Sequence, residues 1–213
     1  MNAGHGSNTV QPLTNTMPDL EAVKKIRSLL ENKEFDQAFD LAREVHAESP
    51  DDPELRALYQ QLLVARGVRL SADLSHLTTL VLRKEQGYPL KEPVSREKVE
   101  GMEKETATLF RQAIDLDPLG PRPLYLLASL YHRSDRRAHQ EEISILANKA
   151  LSLHPDNHEI QKTVRRLTTP CPYCTDSGSC GSCGGTGVKG PHFFAWTCLA
   201  CRGKGICLRC GVL

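Results

Sequence analysis

The residues best suited to chemistry are eight cysteines, which all fall within the last 43 residues of the chain. They form four Cys-x-x-Cys pairs, whereas residues 1–170 contain no cysteine. A Cys-x-x-Cys step allows two thiolates on one tight turn to bind the same metal ion, and two such pairs complete a tetrahedral four-sulfur site of the structural zinc type. The sequence therefore predicts two structural zinc ions, held by Cys171, Cys174, Cys180, Cys183, Cys198, Cys201, Cys207 and Cys210.

The spacing of the pairs favours one way of combining them. The first cysteines of successive pairs are 9, 18 and 9 residues apart, which is a nearly palindromic arrangement. It favours nested ligation, in which the second and third pairs bind one ion and the first and fourth pairs bind the other. The sequential alternative leaves only five residues between the first two pairs, which is short for a ribbon that presents both pairs to one metal.

Glycines follow the two central pairs in a regular pattern. The segments Cys180-Gly-Ser-Cys183-Gly-Gly-Thr-Gly and Cys198-Leu-Ala-Cys201-Arg-Gly-Lys-Gly both fit Cys-x-x-Cys-x-Gly-x-Gly. Glycine after such a turn permits a positive φ, which lets backbone amides point towards the thiolates. Residues 170–213 resemble the cysteine-rich zinc domain of DnaJ-type chaperones, in a compact form without a J domain. The first repeat departs from the motif at Asp176, and the fourth stops before the motif is complete.

This resemblance implies two zinc ions in the nested order and a role as an assembly or holding chaperone. Two other uses of the cysteines remain open. Disulfides would suit so small a segment, but the polar residues 1–18 lack a basic and apolar leader pattern, so a reducing, cytoplasmic environment is expected. A redox dithiol is the other alternative, although such a motif normally opens a helix in a βαβ unit, which has no counterpart in this sequence.

An aromatic segment between the central pairs contains the only tryptophan of the chain. Strand alternation would place Phe193 on one face and Phe194 and Trp196 on the other, so a two-stranded ribbon cannot bury all three rings. One face is expected to form the small core and the other to contact unfolded client segments. His192 is interpreted as a loop residue rather than a ligand, because eight thiolates already fill two sites.

The charge balance disfavours nucleic acid as the main partner. The chain has 27 basic and 26 acidic side chains, and so lacks the strong positive field of a phosphate-binding protein. Nucleic acid is therefore kept as a less favoured partner. A local basic face, if there is one, is expected to include Arg133, Arg136, Arg137, Arg165 and Arg166, although such runs are usually solvated helix faces.

Motifs for catalysis and for membrane insertion are missing from the sequence. It offers no phosphate-binding loop, no recognisable Ser/His/Asp arrangement and no open metal motif such as His-Glu-x-x-His. It also has no apolar run of about 18 residues. We therefore expect neither an enzyme nor a membrane protein.

The residues that precede the cysteines form the larger domain, and their pattern is helical. Apolar residues recur with helical spacing, and prolines punctuate them. The segments that end in Pro50, Pro118 and Pro155 resemble the second helices of tetratricopeptide repeats, and these prolines are 68 and 37 residues apart. The resemblance implies about four helical pairs, starting near residues 19, 53, 87 and 121. The second and third pairs are degenerate, and non-standard helices that bridge two recognisable repeats are the alternative there.

The tetratricopeptide resemblance also implies a concave surface that binds peptides or partner proteins. The lysine and asparagine positions of the family's two-carboxylate clamp are not filled, so binding of acidic chaperone tails by that clamp is not expected. On the fourth pair the residues expected on the concave surface are Arg122, Tyr125, Ser129, His132 and Arg133.

The sequence thus predicts a mainly α protein, with a tetratricopeptide-like helical-hairpin solenoid and a small C-terminal β-hairpin zinc domain. The expected domains are a disordered N-terminus over residues 1–18, helical repeats over 19–168 and a double-zinc domain over 169–213. The expected function is a non-enzymatic, cytoplasmic protein-binding adaptor or chaperone cofactor. A zinc-ribbon nucleic-acid-binding protein and a thiol-disulfide oxidoreductase are the alternatives.

Overall fold

Seven helices and one two-stranded ribbon make up the described part of the chain. The structure is a computed structural model, and it describes residues 18–85, 94–175, 177, 179–190, 195–202 and 207. The strands β1 (Val188–Lys189) and β2 (Trp196–Thr197) pair antiparallel. The helices are α1 (Pro18–Glu31), α2 (Phe35–Glu48), α3 (Pro53–Glu85), α4 (Arg96–Leu116), α5 (Pro121–Ser134), α6 (Gln140–Leu153) and α7 (His158–Thr168).

Several expectations concern residues outside this description. They are the disorder of residues 1–17, the start of a third helical pair near residue 87, and the roles of Asp176, His192, Phe193, Phe194 and Cys210.

Local signals in the sequence explain where two of the later helices begin. Ser95 Oγ accepts a hydrogen bond from the N–H of Lys98 at the start of α4. Asn157 Oδ1 accepts hydrogen bonds from the N–H groups of Glu159 and Ile160 at the start of α7. Such caps satisfy N–H groups that have no acceptor within their own helix.

The chain forms two compact units that divide within α3, after residue 59. In the first unit, α1 and α2 pack together as a helical hairpin, and Lys33 in the connecting turn has a φ of 65°. Val23 and Ile26 of α1 are buried, as are Ala38 and Ala42 of α2. The two alanines allow the helices to approach closely.

The second unit contains the rest of α3, helices α4 to α7 and the cysteine-rich segment. α5 packs on α4, α6 and α7, and α6 also packs on α7. Short connections make α5, α6 and α7 alternate in direction. The ends of α5 and α7 also meet, because Arg136 just beyond α5 donates from Nη2 to the carbonyl oxygen of Thr169 just beyond α7, at 2.6 Å. α5 and α7 therefore run in the same direction, as the first helices of stacked helical hairpins do.

One hydrophobic core joins the helices of the second unit. Phe110 of α4 and Leu124, Leu127 and Leu130 of α5 are at most 1% exposed, and they belong to a cluster that extends from α3 to α7. The mainly α architecture of helical hairpins with a small C-terminal β-hairpin is confirmed. None of the described helices combines the length and the apolar character that crossing a membrane requires.

The expected division into four helical pairs is wrong in the middle of the chain. α3 is one continuous helix of 33 residues, where a pair of helices was expected from residue 53. No proline interrupts α3 after its first residue, and its only glycine, Gly67, lies against the ring of Phe110. α4 is likewise a single helix of 21 residues. The alternative of long, non-standard helices between two recognisable pairs, α1–α2 and α5–α6, describes the chain correctly.

Candidate metal centre

Four cysteine sulfurs converge beside the β1–β2 ribbon. Cys180, Cys183, Cys198 and Cys201 form the inner cluster, in which all Sγ atoms lie within 4.8 Å of one another. The Sγ atoms of Cys180 and Cys198 are 3.9 Å apart, and those of Cys183 and Cys201 are 3.7 Å apart. A metal with Zn–S bonds of about 2.3 Å at the centre of a tetrahedron requires sulfur–sulfur edges of about 3.8 Å. The inner cluster therefore has the dimensions of a tetrahedral metal site.

The β ribbon brings the two halves of the inner cluster together. Val188 lies opposite Thr197 in the ribbon. One step further, the N–H of Cys198 donates to the carbonyl oxygen of Gly187 at 2.9 Å. The second cysteine pair leads into β1 and the third pair follows β2, so closing the ribbon places their sulfurs side by side.

A residue with a left-handed backbone closes each of the first three cysteine turns. The residues that directly follow the second cysteine are Thr175, Gly184 and Arg202, with φ values of 50°, 59° and 53°. Gly187 has a φ of 77°, and its N–H donates to Cys183 Sγ at 3.3 Å. Gly187 thus has the positive φ, and makes the hydrogen bond to a cysteine sulfur, that the motif predicts for a glycine. Thr175 and Arg202 adopt the same left-handed conformation at a steric cost that glycine would not have.

Hydrogen bonds shift the pKa of two thiols in the inner cluster. Burial raises the pKa of Cys183, but hydrogen bonds from the Gly187 N–H and from neighbouring cysteines outweigh it and lower the pKa to about 6. The pKa of Cys198 is lowered chiefly by a hydrogen bond from the backbone N–H of Cys201. Because cysteine binds metals as the thiolate, these hydrogen bonds favour the charge state that a metal requires.

A second group of sulfurs forms the outer cluster, which consists of Cys171, Cys174 and Cys207 within the described residues. Their Sγ atoms lie within 4.8 Å of one another, and those of Cys171 and Cys207 are 3.9 Å apart. All three side chains are buried. Cys210, the fourth ligand expected here, lies outside the described residues. The outer cluster thus supplies three of the four sulfurs that a tetrahedral site needs.

The described cysteines group in the nested order rather than the sequential one. The second pair meets the third, and the first pair meets Cys207 of the fourth. The first two turns are nevertheless in contact, because a Cβ atom on Gly181 would overlap the backbone carbonyl oxygen of Tyr173. The seven described cysteines are not joined by disulfides, and the measured sulfur–sulfur distances are far above the about 2.05 Å of that bond.

The donor set of the inner cluster is that of a closed site. Its four sulfurs are enough to fill every position of a tetrahedral site, as in structural zinc sites, whereas catalytic zinc sites keep one position for water or substrate. The inner cluster can therefore hold a metal ion that stabilises the ribbon, and the outer cluster can hold a second.

Large apolar side chains are exposed on the cysteine-rich segment. Trp196 is 57% exposed and Leu199 is 87% exposed, and Tyr173 and Val188 are also exposed. Trp196 was expected from the sequence to contact clients, but the other three were missed. Tyr173 and Leu199 each lie between the two cysteines of a pair. Because the sulfurs of a pair turn towards the metal position, the residues between them point outwards, and this is the signal that would have identified them.

The residues expected on the concave surface are placed on α5 at different depths. Arg122 is exposed, and Ser129 is partly buried. Tyr125 packs partly into the hydrophobic core. Arg133 donates from Nη1 to Ser75 Oγ of α3 at 2.8 Å. The structure thus brings Arg133 into contact with α3.

Arg136 does not lie on a solvated basic face, as had been expected. It is only 7% exposed. Its Nη2 donates to Thr169 O at 2.6 Å, and its Nη1 lies 3.2 Å from His132 Nε2. Since a guanidinium can only donate, Nε2 acts as the acceptor in this contact. Arg136 is a buried structural residue between the end of α5 and the start of the cysteine-rich segment.

Comparison with known proteins finds matches among solved structures only. No protein-family model matches the chain, and no curated protein matches it either. Among solved structures, the chain is similar to a thermophilic TPR protein from Thermus thermophilus, with 17% sequence identity and a TM-score of 0.32. The likeness covers 70% of this chain and 80% of that one. The fold described above rests on the helix contacts of this chain itself.

Proposed function

We propose that this chain is a non-enzymatic protein-binding adaptor or chaperone cofactor. Its helical repeats, residues 19–168, bind a partner protein, and its cysteine-rich domain, residues 169–213, contacts an unfolded or assembling client. The observation that carries the proposal is the tetrahedral inner cluster, which fixes a small ribbon with exposed apolar side chains.

Two structural zinc ions are the proposed cofactors. A tetrahedral set of four thiolates is the coordination typical of zinc or of iron–sulfur centres, and zinc suits a site that needs no redox change. Cys180, Cys183, Cys198 and Cys201 would hold one ion. Cys171, Cys174 and Cys207 would hold the other, together with Cys210. A reducing compartment such as the cytoplasm would keep all eight cysteines available as ligands.

The cysteine-rich domain is too small to bury all of its large apolar side chains. Trp196, Leu199 and Tyr173 are exposed on it, and we propose that they contribute to one apolar contact surface, since such surfaces typically mark protein-binding sites. We include Phe193 and Phe194 in the proposed client-binding surface because they belong to the same aromatic segment. The zinc ions would act indirectly, by holding these side chains in a fixed arrangement.

The proposed partner-binding surface of the helical repeats follows α5. Arg122, Tyr125, Ser129, His132 and Arg133 recur at the spacing of one helix face. Arg122 and Arg133 are exposed on it. A protein partner would therefore meet mainly cationic groups along this face, because Tyr125 is packed partly into the core.

An aggregation assay tests the client-binding part of the proposal. A chemically denatured enzyme is diluted with and without the zinc-loaded protein, and light scattering reports how much of the enzyme aggregates. We expect the wild type to suppress scattering and the Trp196→Ser/Leu199→Ser variant to lose most of that effect. Ile145→Ser is the matched control, because Ile145 is 60% exposed but lies on α6. Equal suppression by all three proteins would contradict client binding by the ribbon.

A further inference from the structure

We propose that the adjoining ends of α5 and α7 bind an acidic polypeptide segment, with Arg133 and Arg166 as its principal contacts. The inference rests on the proposed function, since it names the chemistry of the partner that the helical repeats bind. The proposed site consists of residues other than those expected for the two-carboxylate clamp of tetratricopeptide repeats. It is formed by two neighbouring helices.

The geometry of the helix ends places Arg133 and Arg166 at the same level. Arg136 and Thr169 are joined by the 2.6 Å hydrogen bond described above. Arg133 precedes Arg136 by three residues, and Arg166 precedes Thr169 by three. Because α5 and α7 run in the same direction, both arginines lie about one turn before the joined ends. The pKa of Arg133 is lowered first by burial and then by the positive charge of Arg166.

Arg133 is held in position without a counter-ion. Its Nε donates to the carbonyl oxygen of Ser129 at 3.3 Å, and its Nη1 donates to Ser75 Oγ at 2.8 Å. Both acceptors are neutral. Among the described residues, neither Arg133 nor Arg166 forms an ion pair with a carboxylate. Two neighbouring guanidinium groups repel each other, and an added carboxylate would relieve that repulsion.

The local charge at these helix ends is clearly positive. Asp135 contributes one negative charge, and its Oδ1 already accepts a hydrogen bond from the N–H of Ala138. The C-terminal ends of α5 and α7 add roughly half a negative charge each. The negative contributions together, about −2, leave a clear excess of positive charge. The positive side consists of five arginines, namely Arg133, Arg136, Arg137, Arg165 and Arg166.

A polypeptide carboxylate fits this surface better than a nucleic acid does. The formal net charge of the whole chain is only +1, so the chain lacks the strong overall positive field that nucleic-acid binding usually requires. Binding along a nucleic acid usually needs a longer basic track, with exposed aromatic rings where single strands are bound. The aromatic residue of this α5 face, Tyr125, is instead packed partly into the core. Guanidinium groups bind carboxylates with paired, charge-assisted hydrogen bonds.

Fluorescence anisotropy with defined probes tests the proposal. The zinc-loaded protein is titrated into a fluorescein-labelled short peptide of alternating glutamate and serine, into the same peptide with glutamine, and into a single-stranded oligonucleotide of equal charge. We expect binding of the glutamate peptide only, weakened by added salt. Arg133→Gln/Arg166→Gln should weaken it by about tenfold, and Ser75→Ala by less. The control Arg43→Gln/Lys149→Gln removes the same net charge from α2 and α6 and should leave the affinity unchanged.

Circular dichroism of each variant shows whether the variant is still folded. Failure to bind the glutamate peptide, equal weakening in the control, or tighter arginine-dependent binding of the oligonucleotide would each overturn the proposal. A purely structural role for the two arginines at the helix ends would appear as a lower unfolding temperature with unchanged peptide affinity, and this too would overturn it. The aggregation assay is independent of these outcomes. Retained suppression by Arg133→Gln/Arg166→Gln would leave the proposed function standing even if the acidic-segment proposal failed.

Discussion

The guanidinium of Arg136 joins two helix ends at the start of the cysteine-rich segment. Its Nη2 donates to Thr169 O at 2.6 Å, and Thr169 lies two residues before Cys171 of the outer cluster. The Arg136 side chain is buried although Thr169 is exposed, and this charge-assisted hydrogen bond ties the point where the chain leaves α7 to the end of α5.

We expect Arg136→Met to lower the free energy of unfolding by about 1–3 kcal/mol, because it removes a part-buried charge-assisted hydrogen bond between the ends of α5 and α7. Arg137→Met is the matched control, since Arg137 is exposed and a surface substitution changes stability by about 0.5 kcal/mol at most. Urea unfolding followed by circular dichroism measures both. A similar loss in the two variants would show that Arg136 is not a structural residue.

Two helical glycines should respond in opposite ways to the same substitution. A Cβ at position 67 would lie 2.6 Å from Phe110 Cε1, whereas a Cβ at position 101 would meet nothing within 4 Å. Gly67→Ala therefore overpacks the core, at a cost of about 1–3 kcal/mol that exceeds the helix-propensity gain of about 1 kcal/mol. Gly101→Ala should stabilise the protein by about 0.5–1 kcal/mol. Thermal unfolding of both variants provides the check, and a stabilised Gly67→Ala protein would contradict the packing of α3 against α4.

The contact between the first two cysteine turns should affect the outer cluster. Gly181→Ala forces a methyl group against the carbonyl oxygen of Tyr173, so the first turn has to move. We expect the metal ion of the outer cluster, which contains the first turn, to be bound roughly tenfold more weakly, in line with other disturbances around metal ligands. Competition with a chromophoric chelator measures the affinity, and Ser182→Ala is the control because Ser182 is exposed on the same turn. Unchanged affinity in Gly181→Ala would mean that the two turns are independent.

The lowered pKa of Cys183 gives a pH-dependent reactivity in the metal-free protein. With a pKa of about 6, against about 8.5 for an ordinary thiol, half of Cys183 is thiolate at about pH 6. A low-pKa thiolate is also a weaker nucleophile, so the net rate advantage over the denatured protein is about tenfold near pH 6 and only about twofold near pH 7. Alkylation with iodoacetamide, mapped by mass spectrometry, measures these rates. Cys198 should react slowly despite its lowered pKa, because it is fully buried.

The same pKa fixes the sign of the stability change with pH in the metal-free protein. The folded state lowers the pKa of Cys183, so the thiolate contributes stability that is fully present above the unfolded pKa of about 8.5. That contribution is lost as the pH falls towards the folded pKa of about 6.

The alkylation experiment also tests the cause of the lowered pKa. Identical alkylation rates in native and denatured protein at about pH 6 would contradict the hydrogen bond from Gly187 to Cys183.

Local patterns in the sequence were sufficient for some features of the fold and the site. The grouping of Cys180 and Cys183 with the third pair followed from spacing, because a hairpin brings together residues at equal distances from its turn. The starts of α4 and α7 follow from Ser95 and Asn157, which cap the helix next to them in sequence. At the two helix starts a single local interaction decides the structure.

Features that depend on tertiary contacts could not be predicted in this way. The close approach of Gly67 in α3 involves Phe110, a residue of another helix that lies far along the chain. The burial of Arg136 depends on Thr169, which lies 33 residues further along the chain. The left-handed backbone at Arg202 was unexpected because the sequence motif places its glycine one residue later.

Metal content and thiol accessibility, measured together on protein purified under reducing conditions, test the central claim most directly. Elemental analysis gives the metal bound per chain, and thiol titration before and after chelation gives the number of masked cysteines. We expect two zinc ions per chain, with all eight cysteines of the sequence masked until the metal is removed. Metal-free protein with eight reactive thiols, or protein that reduces insulin disulfides with turnover through Cys180 and Cys183, would contradict a structural zinc module.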